Sequence, residues 1–377
     1  MNKIKIGIDA SRNRSGGAQV HIIEILKNFN YKKFNNIEIH IWSYPELLNK
    51  IDNKPWINKH AVFEKQKSIF SELFWQRFIF KKLLHKNQID ILLNTTATSV
   101  CKFQPSISMS RDMLSYEKGI MKLASFSIQW VRLQLLKYIQ INSLKKSTGA
   151  IFLTNYASNE IQKFTGEIKN FRIINHGISD SFRFENRKLF QNKKIKCVYI
   201  SNIDFYKNHK TLIQAFLLLK DLNIELSLIG GKGKGKPALK EERTIKSILK
   251  RNSTFNENIK FKGHINHSEL SQELKKYDIF IFASSCENMP NTLVEGMASA
   301  LPVICSDKGP MPEILEDGGI YFNPENINST YNALNLMIYD KSLQKKSSIK
   351  SYELSKKYSW AICSDKTFQF LIDTYLR

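Results

Sequence analysis

The feature that most constrains the fold is a regular alternation of strand-like and helix-like segments. Short apolar runs such as IKIGIDA (4–10), KCVYIS (196–201) and IFIFASS (279–285) each precede a stretch with helical periodicity. The first of those stretches is GGAQVHIIEILKNF (16–29). Strands that alternate with helices predict an α/β fold with parallel, doubly wound sheets.

Two such series follow one another along the chain. Its 377 residues are more than a single compact core usually holds, and a polar segment at 179–195 separates the series. We therefore expect two Rossmann-like domains that face a cleft, residues 1–182 and 183–360, followed by a terminal helix at 361–377. Ligands of doubly wound sheets bind beyond the carboxyl ends of the strands, so the cleft is the expected site.

The net charge of +23 favours an anionic partner. Residues 1–182 carry 27 Lys and Arg against 13 Asp and Glu, so the first domain is the more basic. A membrane surface, a phosphorylated substrate or nucleic acid would suit this excess; a compositional bias toward Lys, Asn and Ile would also produce it. The five scattered cysteines, with no Cys-x-x-Cys pair, indicate a reducing compartment. The sequence predicts neither a signal peptide nor a bilayer-spanning run.

Three segments are candidates for binding phosphate. Gly16 and Gly17 open the first helix, where backbone N–H groups favour an anion, although an ordinary glycine turn has the same sequence. GGKGKGKP (230–237) nearly matches a P-loop, but Pro237 replaces the hydroxyl residue that would hold magnesium, so we interpret it as a flexible basic loop. Lys207, after the first strand of the second half, either pairs with a phosphate or is solvated.

Two glutamates, Glu287 and Glu295, flank a predicted helix start. Glu287 follows a buried strand, and Thr292 is expected to open a helix with Glu295 in its first turn. The N–H groups of Thr292 and Leu293 would then face a phosphate, while the carboxylates accept hydrogen bonds from hydroxyls. This combination predicts a ligand that joins a phosphate to polyols, namely a nucleotide sugar. The alternative is a capped helix with two solvated glutamates.

Together these segments resemble the retaining glycosyltransferases of family four, which carry an E-x7-E signature and have the two-domain GT-B fold. The resemblance covers most of the C-terminal half and parts of the N-terminal half. It rests on Gly16-Gly17, TNYASNEI, INHGIS, YISNIDFYKNHKTLIQAF, KFKGHINHSEL and SSCENMPNTLVEGMASALPVICSDKGPMPEIL, in the family's order. It implies transfer of a sugar from a nucleotide-sugar donor, with no cofactor, to a lipid-linked or growing saccharide acceptor in lipopolysaccharide, O-antigen or capsule synthesis.

The resemblance also implies roles for individual residues. Glu287 would contact hydroxyls of the transferred sugar, Glu295 would bind the ribose, and Lys207 would neutralise the donor diphosphate. The backbone groups expected to assist are those of Gly17, Thr292 and Leu293. Configuration would be retained, with the leaving phosphate taking the acceptor's proton. The terminal helix would cross back onto the first domain.

One departure from the family pattern concerns the donor. The family usually has an arginine five residues before the lysine, where this chain has Asn202. Fewer charges would then hold the diphosphate, unless a lysine of the basic loop replaces the arginine. The candidates are Lys232, Lys234 and Lys236.

A second departure concerns the acceptor. Arg111-Asp112 stands where the family often has a His-Asp pair. Arg111 stays protonated and cannot act as a base, but it would suit a phosphate or a sugar hydroxyl. Asp112 is either an acceptor-side residue or a loop or helix cap. The chain has no Asp-x-Asp segment, which favours a metal-independent reaction.

The segment at 69–86, IFSELFWQRFIFKKLLHK, bears on the acceptor. At about 100° per residue, one face is the predicted core stripe, Ile69, Leu73, Phe80 and Leu84. The other face carries Phe74, Trp75, Phe78, Lys81, Lys82, His85 and Lys86. Aromatic side chains among cations suit an anionic membrane or a lipid-linked acceptor; a helix buried on both sides is the alternative. We expect a cytoplasmic protein at the inner face of the cell membrane.

Three other functions are compatible with parts of the sequence. A GT-B-fold sugar-nucleotide epimerase is one, although the E-x7-E arrangement argues against it. A non-catalytic GT-B subunit that supports a partner enzyme is another, prompted by Asn202 and Arg111. Nucleic-acid binding would use the positive charge, but no nucleic-acid motif accompanies it, so we predict no nucleic-acid partner.

Overall fold

A computed structural model describes residues 3–14, 16–62, 69–117, 119, 128–184, 194–221, 223–233, 235–252 and 257–377. The chain divides into two compact units. The first comprises Met1–Gly177 and Tyr358–Arg377, and the second comprises Ile178–Lys357. The predicted boundaries were 182/183 and 360/361. Most of the polar segment that led to the first of these, residues 185–193, lies outside the described residues.

The first unit contains a parallel sheet with the strand order β3-β2-β1-β4-β5-β6-β7. Its strands are β1 (Ile4–Asp9), β2 (Ile37–Ser43), β3 (Ile57–Ala61), β4 (Ile91–Asn94), β5 (Ser106–Met109), β6 (Gly149–Phe152) and β7 (Phe171–Ile173). β4, β5 and β6 are buried along their whole length, as expected for parallel strands that helices cover on both faces.

Helices connect these strands. They are α1 (Gly17–Lys27), α2 (Pro45–Leu48), α3 (Ile69–Phe74), α4 (Lys81–Lys86), α5 (Ile128–Lys146) and α6 (Asn155–Thr165). α6 shows how local sequence fixes a boundary. The Thr154 side chain accepts a hydrogen bond from the Ala157 N–H (3.1 Å) at its start, and Gly166 ends it with a φ of 73°.

A π-helical turn, Trp75–Phe80, joins α3 to α4 and changes which side chains face the core. Phe80 and Leu84 are buried as predicted, and Phe74 and Phe78 are 59% and 55% exposed. Trp75, however, is only 8% exposed and stacks on Phe80 (ring centroids 4.5 Å apart). The prediction that Trp75 lies on the outer face is wrong, because an i to i+5 turn advances the side chains by less than 100° per residue.

The second unit contains a parallel sheet with the strand order β10-β9-β8-β11-β12-β13. Its strands are β8 (Ile195–Ile200), β9 (Ile224–Ile229), β10 (Ile259–Gly263), β11 (Ile279–Phe282), β12 (Val303–Ser306) and β13 (Gly319–Phe322). Its helices are α7 (His209–Leu218), α8 (Lys236–Arg251), α9 (His267–Leu274), α10 (Asn291–Ala298), α11 (Met311–Leu315), α12 (Ile327–Tyr339) and α13 (Lys341–Ser355). The prediction of parallel, doubly wound sheets is confirmed.

The terminal helix, Trp360–Tyr375, packs within the first unit. Its Ser364 hydroxyl donates to the Ile25 carbonyl oxygen of α1 (2.7 Å), and Phe368 makes an edge-on contact with Phe29 (4.6 Å). The helix begins where Gly177 passes very close to Trp360. A Cβ at Gly177 would lie 2.0 Å from the Trp360 backbone nitrogen, so only glycine fits there.

Candidate functional site

In the second unit, the strand order reverses between β8 and β11, which pair directly. Ligands of open parallel sheets bind at the carboxyl ends of the strands at such a switch point. The segments after these two strands are joined by hydrogen bonds. The Asn208 side-chain amide donates to the Ala283 carbonyl oxygen (2.8 Å), and the Ser285 N–H donates to the Tyr206 carbonyl oxygen (2.9 Å).

Lys207 and Glu287 form an ion pair at this switch point, between Nζ and Oε1. Each side chain is 17% exposed, so both are mostly buried but still accessible to a ligand. Lys207 ends a 3-10 turn (Phe205–Lys207), and its carbonyl oxygen accepts a hydrogen bond from the Tyr199 hydroxyl (2.9 Å). The structure thus brings together two predicted site residues that are 80 positions apart.

Glu295 is the second carboxylate of the site, and it is 7% exposed. Its Oε1 makes a hydrogen bond with His267 Nε2 (2.8 Å), whereas its buried Oε2 has no hydrogen-bond partner among the described residues. Such an oxygen costs roughly 1–3 kcal/mol, a cost that a ligand hydroxyl would remove. His267 was not predicted, because it lies 28 positions away on another helix and no local pattern reports that contact.

The start of α10 differs in detail from the prediction. The helix begins at Asn291 rather than Thr292, which places Glu295 in the second turn. The Leu293 N–H donates to the Pro290 carbonyl oxygen (3.0 Å), so this N–H is engaged within the helix. The Thr292 N–H makes no backbone hydrogen bond in the described part of the chain. Of the predicted pair of donors, Thr292 is the one left for a ligand.

Asn202, in the place of the family's arginine, binds the neighbouring glycine loop. Its side-chain oxygen accepts a hydrogen bond from the Gly231 N–H (2.8 Å). Lys232 is exposed and lies 3.7 Å from Glu242, and Lys236 begins α8. Lys234 lies outside the described residues. Asn202 therefore positions the basic loop but supplies no charge of its own.

Gly16 and Gly17 lie in the first unit, at the start of α1. Gly16 has a φ of 58°, which favours glycine, and no side chain caps the helix. Before them, at the end of β1, lies a polar group that sequence reasoning missed. Asp9 accepts hydrogen bonds from the Ser11 hydroxyl (2.6 Å) and the Gln76 amide (2.6 Å), and burial raises its pKa. An aspartate at the carboxyl end of the first strand was the available signal.

Arg111 and Asp112 also lie in the first unit, and the surroundings of the two side chains differ from each other. Asp112 accepts hydrogen bonds from the Leu114 N–H (3.0 Å) and the Gln140 amide (3.4 Å), the first of which is an Asx turn. Burial raises the pKa of Asp112. Burial lowers the pKa of Arg111 to about 10, so the guanidinium is a cation at neutral pH. Its Nη1 is buried without a hydrogen-bond partner in the described residues.

Metal clusters and membrane-spanning helices are both absent from the described residues. Among the described residues, no group of three or more His, Cys, Asp or Glu side chains is placed to hold a metal ion. In that same part of the chain, every helix is too short or too polar to cross a bilayer.

Comparison with known sequences finds a family match within the second unit. Residues 180–354 match the family described as Glycosyl transferases group 1. The O-antigen chain mannosyltransferase B of Escherichia coli is 23% identical over 173 residues, 45% of this chain and 44% of that protein. The capsular polysaccharide biosynthesis glycosyltransferase CapH of Staphylococcus aureus is 24% identical over 331 residues, 81% of each chain. The match with CapH is the longest of these. The match with the mannosyltransferase and three further matches each cover only 22% to 44% of the relative's length.

Comparison with solved structures covers the whole chain. Sucrose-phosphate synthase from Thermosynechococcus elongatus superposes with a TM-score of 0.78 at 15% identity, over 99% of this chain and 100% of that one. Anabaena Alr3699/HepE, in complex with UDP and glucose, superposes with a TM-score of 0.73 at 15% identity, over 98% and 99%. The chain therefore has the fold of the GT-B glycosyltransferases.

Proposed function

We propose that the chain is a retaining, metal-independent glycosyltransferase of family four, with Glu287 and Glu295 as its E-x7-E pair. It transfers a sugar from a nucleotide-sugar donor to a saccharide or lipid-linked acceptor of a bacterial surface polysaccharide, and it uses no cofactor. The single observation that carries this proposal is the arrangement around α10. An ion-paired lysine lies at the switch point, and α10, which follows β11, carries a carboxylate whose buried oxygen has no hydrogen-bond partner among the described residues. Both residues lie in the segment that matches the group 1 family.

The chemistry follows from these groups. The bond between the anomeric carbon and the diphosphate breaks, and negative charge develops on the leaving group. Lys207 and the Thr292 N–H stabilise that charge, while Glu287 orients the hydroxyls of the transferred sugar. Glu295 accepts a hydrogen bond from the ribose through Oε2. The acceptor hydroxyl bonds to the anomeric carbon on the face that the phosphate leaves, and it gives its proton to the leaving phosphate.

The names of relatives and neighbours support the substrate classes. Two relatives are named for O-antigen and capsular polysaccharide synthesis, and one structural neighbour was solved with UDP and glucose. We place the protein on the cytoplasmic side, in peripheral contact with an anionic membrane, and with no nucleic-acid partner. The net charge of +23 and the exposed rings of Phe74 and Phe78 support the membrane contact.

The test of the donor site is isothermal titration with UDP, GDP, dTDP, CMP and their sugar conjugates. One nucleotide is expected to bind. Glu295→Gln is expected to weaken its affinity by about tenfold or more, because the charged group that accepts a hydrogen bond from the ribose hydroxyl is lost. Glu269→Gln, an exposed carboxylate on α9, is the matched control and should bind like the unmodified protein. If none of the nucleotides binds at millimolar concentration, the donor site is refuted and a non-catalytic subunit becomes the better explanation.

Retention is tested separately on the product. Proton NMR of the transferred sugar reports its anomeric configuration, which is expected to equal that of the donor. An inverted product would contradict the family-four assignment. A free epimerised nucleotide sugar, formed without any acceptor, would instead support the epimerase alternative.

A further inference from the structure

A cavity of about 490 Å³ lies within the first unit, and no residue that lines it is assigned to the donor. Its walls come from α3 and the π-helical turn, from the loop after β4, and from α5. The volume is in the range of small-molecule sites. Arg77 and Phe78 line it from the π-helical turn, and such turns occur frequently at functional sites.

The polar side of the cavity is suited to an anion. Arg77, Lys102 and Lys146 line it, and no carboxylate of the described residues does. None of these three cations has a carboxylate partner among the described residues. Asn94, at the end of β4, also lines the cavity. It is buried, and its side-chain oxygen has no hydrogen-bond partner within the described part of the chain. The Asn94 side-chain nitrogen donates to the Ser108 hydroxyl oxygen (3.4 Å), so the remaining amide oxygen would accept a hydrogen bond from a ligand hydroxyl, while the three cations would bind an anionic group.

The apolar side of the cavity continues onto the surface. Phe74, Phe78 and Tyr138 line it and are exposed. On α5, Val131 and Leu135 extend the same face toward the start of the helix, at the i, i+4, i+7 spacing that ends at Tyr138. α5 carries four Lys or Arg and no Asp or Glu. Apolar side chains on a helix with only positive charge are typical of contact with anionic lipids.

We propose that this cavity binds the phosphate headgroup and the adjoining apolar chain of a membrane lipid. Arg77, Lys102 and Lys146 bind the phosphate, and Phe74, Phe78 and Tyr138 cover the chain. This lipid phosphate would also anchor the saccharide acceptor, a step that rests on the proposed function. The cavity is thereby assigned to acceptor recognition, and none of the residues that line it is among those proposed to bind the donor.

The experiment is isothermal titration with dodecyl phosphate below its critical micelle concentration. Dodecyl maltoside has the same chain without the charge, and inorganic phosphate has the charge without the chain. Dodecyl phosphate is expected to bind at least about tenfold more tightly than either, because it makes both charge-assisted and apolar contacts. Equal binding of dodecyl maltoside would refute the phosphate site, and equal binding of inorganic phosphate would refute the lipid.

Two sets of substitutions locate the site. The triple variant Arg77→Gln, Lys102→Gln, Lys146→Gln and the double variant Phe74→Ser, Phe78→Ser change only exposed side chains, so both should fold. Each variant is expected to bind dodecyl phosphate about tenfold or more weakly than the unmodified protein. The matched control is Lys32→Gln, Lys54→Gln, Lys169→Gln, which removes the same charge from other exposed positions of the first unit. An equal loss in that control would attribute binding to overall charge and overturn the proposal.

Nucleotide titrations of the same variants separate this inference from the proposed function. The cavity variants are expected to bind the donor nucleotide like the unmodified protein. If no nucleotide binds any variant while dodecyl phosphate behaves as expected, the glycosyltransferase proposal fails and the lipid-phosphate site stands. If nucleotide binds but dodecyl phosphate does not, the inference alone is refuted.

Discussion

Lys207 carries a charge that Glu287 balances in the ligand-free protein. Under the proposed function, an incoming diphosphate would compete with this carboxylate for the same ammonium group. We predict that Lys207→Ala weakens nucleoside diphosphate binding by about 10- to 100-fold, since a hydrogen bond to a charged group contributes roughly 1.5–3 kcal/mol. Lys210→Ala, on the exposed start of α7, is the control for titration calorimetry. Unchanged affinity in the Lys207 variant would exclude a diphosphate at this position.

Glu295 allows a test that separates function from stability. In the ligand-free protein its buried Oε2 lacks a donor within the described residues. Glu295→Met removes the unsatisfied oxygen and also the Oε1 hydrogen bond with His267, whose side chain is 48% exposed and can bond to water instead. The substitution is therefore predicted to raise the free energy of unfolding by about 1 kcal/mol and to abolish nucleotide binding. Urea unfolding and calorimetry measure the two effects. If the variant is less stable than the unmodified protein, Glu295 holds the fold together and its role as a ribose ligand loses its physical support.

At the scale of single elements, the π-helical turn decides which aromatic rings support the first unit. Trp75 contacts a buried cluster that includes Trp42, Phe80 and Leu84, whereas Phe78 is mostly exposed. Trp75→Ala is predicted to cost about 3–5 kcal/mol of unfolding free energy. Phe78→Ala should change it by no more than about 0.5 kcal/mol. Urea unfolding of the pair measures this difference, and similar costs for both would be inconsistent with the π-helical register.

Contacts between α9 and its neighbours depend on the charge of Glu273. Burial alone would raise the pKa of this carboxyl, but hydrogen bonds from Lys262 (2.7 Å), Lys276 (2.6 Å) and Tyr277 (2.9 Å) outweigh burial and lower the pKa to about 2. A lowered folded-state pKa means that the stabilisation is complete at neutral pH. It is lost as the pH falls from the ordinary glutamate range toward 2.

We therefore predict that Glu273→Gln is less stable than the unmodified protein at pH 7, and that the difference shrinks toward pH 2. Urea unfolding at several pH values measures it. Glu353→Gln, which removes an exposed ion pair with Lys356, is the control and should show little difference at any pH. A pH-independent difference for Glu273→Gln would show that its contribution does not depend on the charge of the carboxyl.

How far the site could be predicted depends on which contacts are local. Lys207 and Glu287 follow two apolar strands by a few residues, and adjacent parallel strands end at the same edge of the sheet. Their proximity was therefore accessible from the sequence. The partner of Glu295 was not, because the hydrogen bond joins it to His267, which lies 28 positions away at the start of α9. The burial of Trp75 was also inaccessible, since a fixed 100° step does not describe a π-helical turn.

At the scale of the whole molecule, the two units are built from different parts of the chain. The second is one continuous segment, Ile178–Lys357, whereas the first needs residues from both ends of the chain. The alternation of strands and helices predicted two doubly wound sheets, because it is a local signal repeated along the chain. The partners of the terminal helix are not a local property. Its contacts with α1 join residues more than 300 positions apart, such as Ser364 and Ile25.

This organisation gives a prediction that involves both units. Phe368 is fully buried against Phe29, so Phe368→Ala should cost about 3–5 kcal/mol. The void left by this substitution lies in the first unit. Hydrogen exchange should therefore become faster in β1 and α1 and stay unchanged in β8 and β11. Leu376→Ala, at an exposed position beyond the helix, is the control. Faster exchange in both sheets would mean that the units unfold together. Faster exchange confined to the first sheet would show that the second unit keeps its structure when the first unit is weakened.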